Sequence, residues 1–260
     1  MDLLAARGGI LRAFRARSRA LVAYSGGVDS GLVAKLAFEA LGPDALAVIT
    51  DAESLSRREF GEANEAAEEI GIALRVVPVS ELANAKYRAN PVNRCYFCRS
   101  ELAAVLTELA ANEGFLAIAD GVNVSDLGDH RPGIRAMDEA GFWHPLVEFG
   151  LAKPDVRALA RALGLSFWDK PSNACLSSRI PHGTAITVEM LRQVEAAEAY
   201  LHDRGFRQVR VRHRGTTARV EVVPDDIPRL EAIREEVADV LRKLGYQETV
   251  VDPAGYRAAA

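Results

Sequence analysis

Three cysteines, one glycine–serine turn and a short run of alternating arginines are the residues here whose types and spacing can do chemistry. Cys95-Tyr96-Phe97-Cys98 is a CxxC, and Cys175 lies in Pro171-Ser172-Asn173-Ala174-Cys175-Leu176-Ser177-Ser178-Arg179. Two thiolates separated by two residues on a turn can grip one metal, and a third from elsewhere completes three corners of a tetrahedron. Zinc would then need a fourth ligand, His182 or His144, whereas a 4Fe-4S cluster would take three thiolates and leave one iron open. Three independent reduced thiols are the plain alternative.

The turn is Tyr24-Ser25-Gly26-Gly27-Val28-Asp29-Ser30. Two glycines let a backbone approach an anion, and a helix opening behind them aims N–H groups and a positive dipole end at it. Ser25 and Ser30 add hydroxyls, and Asp29 either caps the helix or holds a metal ion. The pattern is neither Gly-Lys-Ser/Thr nor GxGxxG. Arg210, Arg212 and Arg214 alternate and so share one face of a strand, where their forks suit phosphate. The competing reading is a solvated face neutralised by carboxylates such as Glu221.

These groups need a scaffold. Strands at 20–24, 45–51, 74–79 and 115–120 read as nearly continuous apolar runs, with helices at 29–41, 57–71 and 98–113 between them. Such alternation predicts an α/β fold with a doubly wound parallel sheet covered on both faces. A further helix over 153–163 begins at Pro154 and ends at Gly164. Beyond a Ser- and Pro-rich loop at 171–185, helices at 188–204 and 227–244 and strands at 208–214, 218–223 and 248–252 predict a smaller α+β domain. The division expected is 1–180 and 181–260.

Of 260 residues, 49% are hydrophobic and 26% charged, ordinary globular composition that excludes disorder, collagen and coiled coil. The formal charge is −4, so no overall basic field favours nucleic acid. No apolar run is long enough to span a bilayer. With three cysteines the chain is no disulfide scaffold, and a reduced, cytoplasmic protein is expected.

SGGVDS resembles the signature of the PP-loop ATP pyrophosphatases, which cleave ATP between its α and β phosphates. That resemblance implies adenine contacts after the second strand, at 50–54 with Thr50 and Ser54. It also implies a second ATP-side loop after the fourth strand, at 120–126 with Gly121, Asn123 and Asp126. The segments CYFCRSEL, DGVNVSDLGDHRPGIRA, PLVEFGLAKPDVRALARALGL, WDKPSNACLSSRIPHGTAIT and VRVRHRGTTARVEV resemble the LarE-type sulfur transferases over nearly the whole chain. Members adenylate a carboxylate of pyridinium-3,5-biscarboxylic acid mononucleotide and convert it to a thiocarboxylate for the nickel-pincer nucleotide. In one branch the cysteine matching Cys175 surrenders its own sulfur. In the other, cysteines matching Cys95, Cys98 and Cys175 ligate a 4Fe-4S cluster whose open iron carries sulfide; this chain has all three and resembles that branch.

The resemblance thus implies ATP, Mg2+ and a 4Fe-4S cluster as cofactors, and Cys175 and Asp29 as catalytic residues. Ser25, Gly26, Gly27, Asp29 and Ser30 would hold the phosphates of ATP. Arg179, Arg210, Arg212 and Arg257 would hold substrate phosphate, at subunit interfaces in the family, which implies a homo-oligomer with a hexamer among the options. The expected partner is a small nucleotide, with no membrane and no nucleic acid. The rivals are a tRNA-thiolating enzyme, disfavoured by the acidic balance, and an ammonia-dependent amide synthetase resembling NAD synthetase.

Overall fold

The computed structural model describes residues 2–128, 132–172 and 174–256. In chain order it runs α1 (Leu3–Arg17), β1 (Ala20–Ala23), α2 (Val28–Leu41), β2 (Ala45–Asp51), α3 (Arg57–Ile70), β3 (Ala73–Pro78), α4 (Ala85–Arg88), α5 (Arg94–Glu113) and β4 (Ala117–Ala119). There follow α6 (Pro132–Glu139), α7 (Pro145–Glu148), α8 (Lys153–Ala162), α9 (Val188–Asp203), β5 (Val209–Arg214), β6 (Thr217–Val222), α10 (Ile227–Ala232), α11 (Arg234–Lys243) and β7 (Glu248–Val251). Contacts divide the chain into an N-terminal unit (1–52, 57–81 and 93–173) and a C-terminal unit (53–56, 82–92 and 174–260). The break near 173 lies in the Ser- and Pro-rich stretch, and two short earlier segments join the C-terminal unit.

The N-terminal unit holds four parallel strands in the order β3-β2-β1-β4. Ala-Leu-Val-Ala of β1 is buried throughout because helices cover both its faces. Leu21, Ala23, Leu46 and Val48 pack on Ala103, Leu106 and Ala110 of α5 and on Met137 of α6. The alternate residues Ala20 and Val22 point to the opposite face, and α2 packs against β1 and β2. Because β2 and β4 flank β1 on opposite sides, the strand order reverses at β1, and the loops after β1 and β4 meet at that point.

The C-terminal unit has a mixed three-stranded sheet, β5-β6-β7, antiparallel then parallel. Its core gathers Leu201, Phe206, Val209, Val211, Val220, Leu230 and Leu241. The helix expected over 227–244 is interrupted at Ile233 (φ −114°, ψ 16°). Its apolar periodicity continues across the break, so the sequence pattern does not reveal it.

Candidate functional site

The nucleotide turn is built by close approaches. Gly26 adopts φ +71°, and a Cβ there would lie 2.7 Å from Ala63 Cα, so only glycine fits against α3. Beneath it the buried Tyr24 hydroxyl donates to Ala63 O at 3.0 Å. Burial pushes this phenol far above its usual range, so it stays a donor. Ser30 Oγ accepts from Ser25 N at 3.1 Å and donates to Gly27 O at 3.2 Å, closing the turn. Gly27 is the N-cap of α2, which places Asp29 inside the first turn rather than at the cap. First-turn N–H groups have no intrahelical partner and carry the positive dipole end.

The loop after β4 comes to the same turn. A Cβ on Gly121 would lie 2.6 Å from Ser30 N, so the backbones nearly touch. Asn123 and Asp126 form a capping box: Asn123 N and Nδ2 both donate to Asp126 Oδ2, at 3.0 and 2.7 Å. Asn123 Nδ2 also reaches Asp29 Oδ1 at 3.3 Å. Ser25, Gly26, Gly27, Asp29, Ser30, Gly121, Asn123 and Asp126 thus gather in one place. Thr50 is the penultimate residue of β2, half-buried. Ser54 belongs to the C-terminal unit, where its carbonyl accepts from Leu176 N at 2.8 Å.

Two lysines at this turn escaped the sequence reading. Lys153 Nζ pairs with Asp29 Oδ2, and Lys170 Nζ lies 2.9 Å from both Glu59 and Glu62 while donating to Gly26 O at 3.3 Å. A signal existed for the first. Lys153 opens a helix, where a cation meets the dipole unfavourably unless an anion answers it.

The cysteines are divided between the units. The CxxC lies at the start of α5, Cys95 in its first turn and Cys98 just past it, since the helix starts at Arg94 rather than Cys98. Residues three apart on a helix have Cβ atoms about 5–6 Å apart, and a helix N-terminus favours thiolate. Cys95 is exposed; Cys98, half-buried, donates from Sγ to Glu81 Oε1 at 2.8 Å. Cys175 is exposed and precedes the 3-10 turn Leu176–Arg179. Three soft sulfur donors, two of them side by side at a helix start, suit an iron–sulfur group in chemistry. Among the described residues no set of three His, Cys, Asp or Glu side chains is drawn together as a metal site.

In the C-terminal unit the arginines take different stations. Arg179 is 1% exposed, bidentate to Glu198 at 2.8 and 2.9 Å, and donates to the carbonyls of Ala174 and Cys175 and to Ser178 Oγ. Glu198 also accepts from Val211 N, between Arg210 and Arg212, at 2.9 Å. Arg212 is forked onto Glu221 at 2.9–3.0 Å and donates to Ser178 O at 3.1 Å. That neutralisation across the hairpin is the alternative the sequence raised, and here it applies to Arg212. Arg210 differs: it is 7% exposed, its guanidinium lies 4.6 Å over the Tyr256 ring, and its Nε has no hydrogen-bond partner. Burial, then the neighbouring Arg179 and Arg212, destabilise its charge and lower its pKa. Arg214 is exposed, and Arg257 lies outside the described residues.

Among the described residues no helix is long and apolar enough to cross a membrane. The family model for NAD synthase matches residues 11–103, which contain the nucleotide turn. Over 241 residues the chain is 46% identical to an uncharacterised protein of Synechocystis sp., covering 92% of this chain and 90% of that one. It is 36% identical over 249 residues to the pyridinium-3,5-bisthiocarboxylic acid mononucleotide synthase of Lactiplantibacillus plantarum, covering 95% and 90%. An uncharacterised protein of Methanocaldococcus jannaschii is 26% identical over 237 residues, covering 91% and 90%.

Proposed function

Because the chain belongs to the LarE-type family of pyridinium-3,5-bisthiocarboxylic acid mononucleotide synthases, we propose that it thiolates a pyridinium dicarboxylate mononucleotide during formation of the nickel-pincer nucleotide. It is an ATP-dependent enzyme that transfers sulfur. A carboxylate oxygen of the substrate attacks the α-phosphorus, the bond from that phosphorus to the β-bridging oxygen breaks, and pyrophosphate leaves. Sulfur then attacks the acyl-adenylate carbonyl and AMP departs.

The chain's own residues divide this work. Amides of the turn at 25–30, at the start of α2, receive the phosphates and stabilise the departing pyrophosphate. The Asp29 carboxylate offers oxygen to the magnesium of MgATP, with Lys153 as a cation beside it. Thr50 and Ser54 serve the adenine side. Cys95, Cys98 and Cys175 would hold a 4Fe-4S cluster, which when bound supplies a soft, deprotonated sulfur nucleophile. Arg210, Arg212 and Arg257 would take the substrate phosphate, while Arg179 ties the carbonyls of Ala174 and Cys175 to Glu198. Assembly of several copies around these arginines is part of the proposal.

The observation that carries the reading is Arg210. A buried guanidinium with an unpartnered Nε, beside two other arginines, calls for an anion. Anaerobically prepared protein given pyridinium-3,5-biscarboxylic acid mononucleotide, MgATP and sulfide should release pyrophosphate and yield thiocarboxylate, with an unchanged chain mass. Loss of sulfur from Cys175 would make that residue the donor, and RNA as the thiolated product would overturn the substrate. Arg210→Ala should raise the mononucleotide KM far more than the ATP KM; equal effects would refute the phosphate assignment.

A further inference from the structure

Within the N-terminal unit, an unbroken series of contacts joins the cysteine-bearing end of α5 to the loop that faces the nucleotide turn. It starts at Tyr96, inside the CxxC. The Tyr96 hydroxyl donates to Glu139 Oε2 at 2.6 Å, and the Arg135 guanidinium lies 4.7 Å over its ring. α6 can lie this close because Gly133 has no side chain: a Cβ there would be 3.0 Å from Arg99 Cγ and 3.5 Å from Cys95 O. Next to Glu139, Asp138 meets His144 Nε2 at 2.8 Å, and the other ring nitrogen, Nδ1, meets Asp120 Oδ1 at 2.7 Å. The same Asp120 oxygen accepts from Val122 N at 3.0 Å, and Gly121 abuts the backbone of Ser30.

His144 is well placed to hold this series together. Its backbone follows Trp143, which extends the sheet beside β4 through a bridge to Ala119, and its carbonyl accepts from Val147 and Glu148 at the start of α7. Its position is therefore set by the sheet and not by its own side chain. A neutral imidazole has one N–H and one lone pair, so one of two ionised carboxylates would face a lone pair; a protonated ring donates to both. The side chain is 15% exposed, shielded enough for charge-assisted bonds to count, while Asp138 is 57% exposed. A pair with so open a carboxylate gives little global stability. What it fixes is geometry.

We propose that His144 is a positioning residue which, held as an imidazolium between Asp120 and Asp138, locks the nucleotide-side loop 120–126 to the helix bracing the CxxC, so that adenylation and sulfur delivery stay coupled. The inference rests on the function proposed above, which nothing about His144 is needed to support. Burial opposes its charge, but hydrogen bonds to Asp120 and then Asp138 outweigh burial and raise its pKa to about 9, so the ring is cationic at neutral pH. Among the described residues, Asp120 from the end of β4 and Asp138 from α6 are the charged groups acting on it.

Two variants of the full-length protein test the idea. His144→Gln should weaken binding of magnesium-bound α,β-methylene ATP about tenfold, and should speed amide hydrogen exchange at both 120–126 and 94–99. Asp138→Asn, a change at an exposed side chain, keeps the Asp120 contact. It should leave analogue affinity within about twofold, speed exchange at 94–99 alone, and raise the pyrophosphate released per thiocarboxylate formed. Unchanged exchange in His144→Gln, or an Asp138→Asn protein disturbed equally in both segments, would overturn the proposal. Failure of the wild-type protein to bind the analogue would sink the functional reading instead, and the exchange patterns would still decide the role of His144.

Discussion

Replacing Glu198 with Ala should destabilise the C-terminal unit by about 3 kcal/mol, the lower end of the range for stripping one partner from a buried ion pair. Glu198 is 5% exposed and faces Arg179, which is 1% exposed, at 2.8 and 2.9 Å. Its removal takes the bidentate carboxylate from that guanidinium and the acceptor from the Val211 amide. The lower end applies because Arg179 keeps the carbonyls of Ala174 and Cys175 and the Ser178 hydroxyl as acceptors. Both tryptophans, Trp143 and Trp168, lie in the other unit, so indole fluorescence would watch the wrong half. Hydrogen exchange read by mass spectrometry is the suitable assay. Amides of α9 and β5 should exchange about a hundredfold faster, with β1 and α2 unaffected. Replacing both partners, Arg179→Met with Glu198→Leu, should restore part of the loss, because no buried charge is then left alone. Wild-type protection in Glu198→Ala, or a double variant worse than the single one, would refute the charge argument.

Two further outcomes follow from the N-terminal unit. Gly26→Ala should abolish binding of MgATP in calorimetry while leaving the fold intact by circular dichroism, since a Cβ at φ +71° collides with Ala63; retained affinity would show that the turn is not the phosphate cradle. His144 has a folded pKa raised from 6.5 to about 9, so its contribution, kept modest by the solvent open to Asp138, is complete below pH 6.5 and is lost as pH rises through 9. The stability gap between wild type and His144→Gln in urea unfolding should therefore be small but greatest near about pH 6 and close by about pH 10.

Much of this was legible in the sequence for physical reasons. β1 and β2 announce themselves because strands buried on both faces must be apolar without alternation, and the turn after β1 because only glycines permit its approach to Ala63. The sequence pattern puts the start of α5 four residues late, because Asn93 stands at the cap without a side-chain bond to mark it. The lysines, and the carboxylate partners of His144, are hidden for another reason. Lys153 finds Asp29 across 124 residues and His144 finds Asp120 across 24, and no local pattern encodes such pairings. The alternating arginines are visible as a set, but only the fold separates Arg212, already matched by Glu221, from Arg210.

The path of the chain between its two units has a practical consequence. Segments 53–56 and 82–92 belong with residues 174–260, and their ties are specific: Tyr87 to Ser177 at 2.7 Å, and Asn90 Nδ2 to the carbonyls of Ile180, Pro181 and Thr184 at 2.8–3.3 Å. Expressing the last third of the polypeptide alone would strip the carbonyls of Ile180, Pro181 and Thr184 of their donor and Ser177 of its Tyr87 partner. A fragment that begins at residue 174 therefore lacks part of its own unit, and a faithful excision of that unit must carry 53–56 and 82–92 with it.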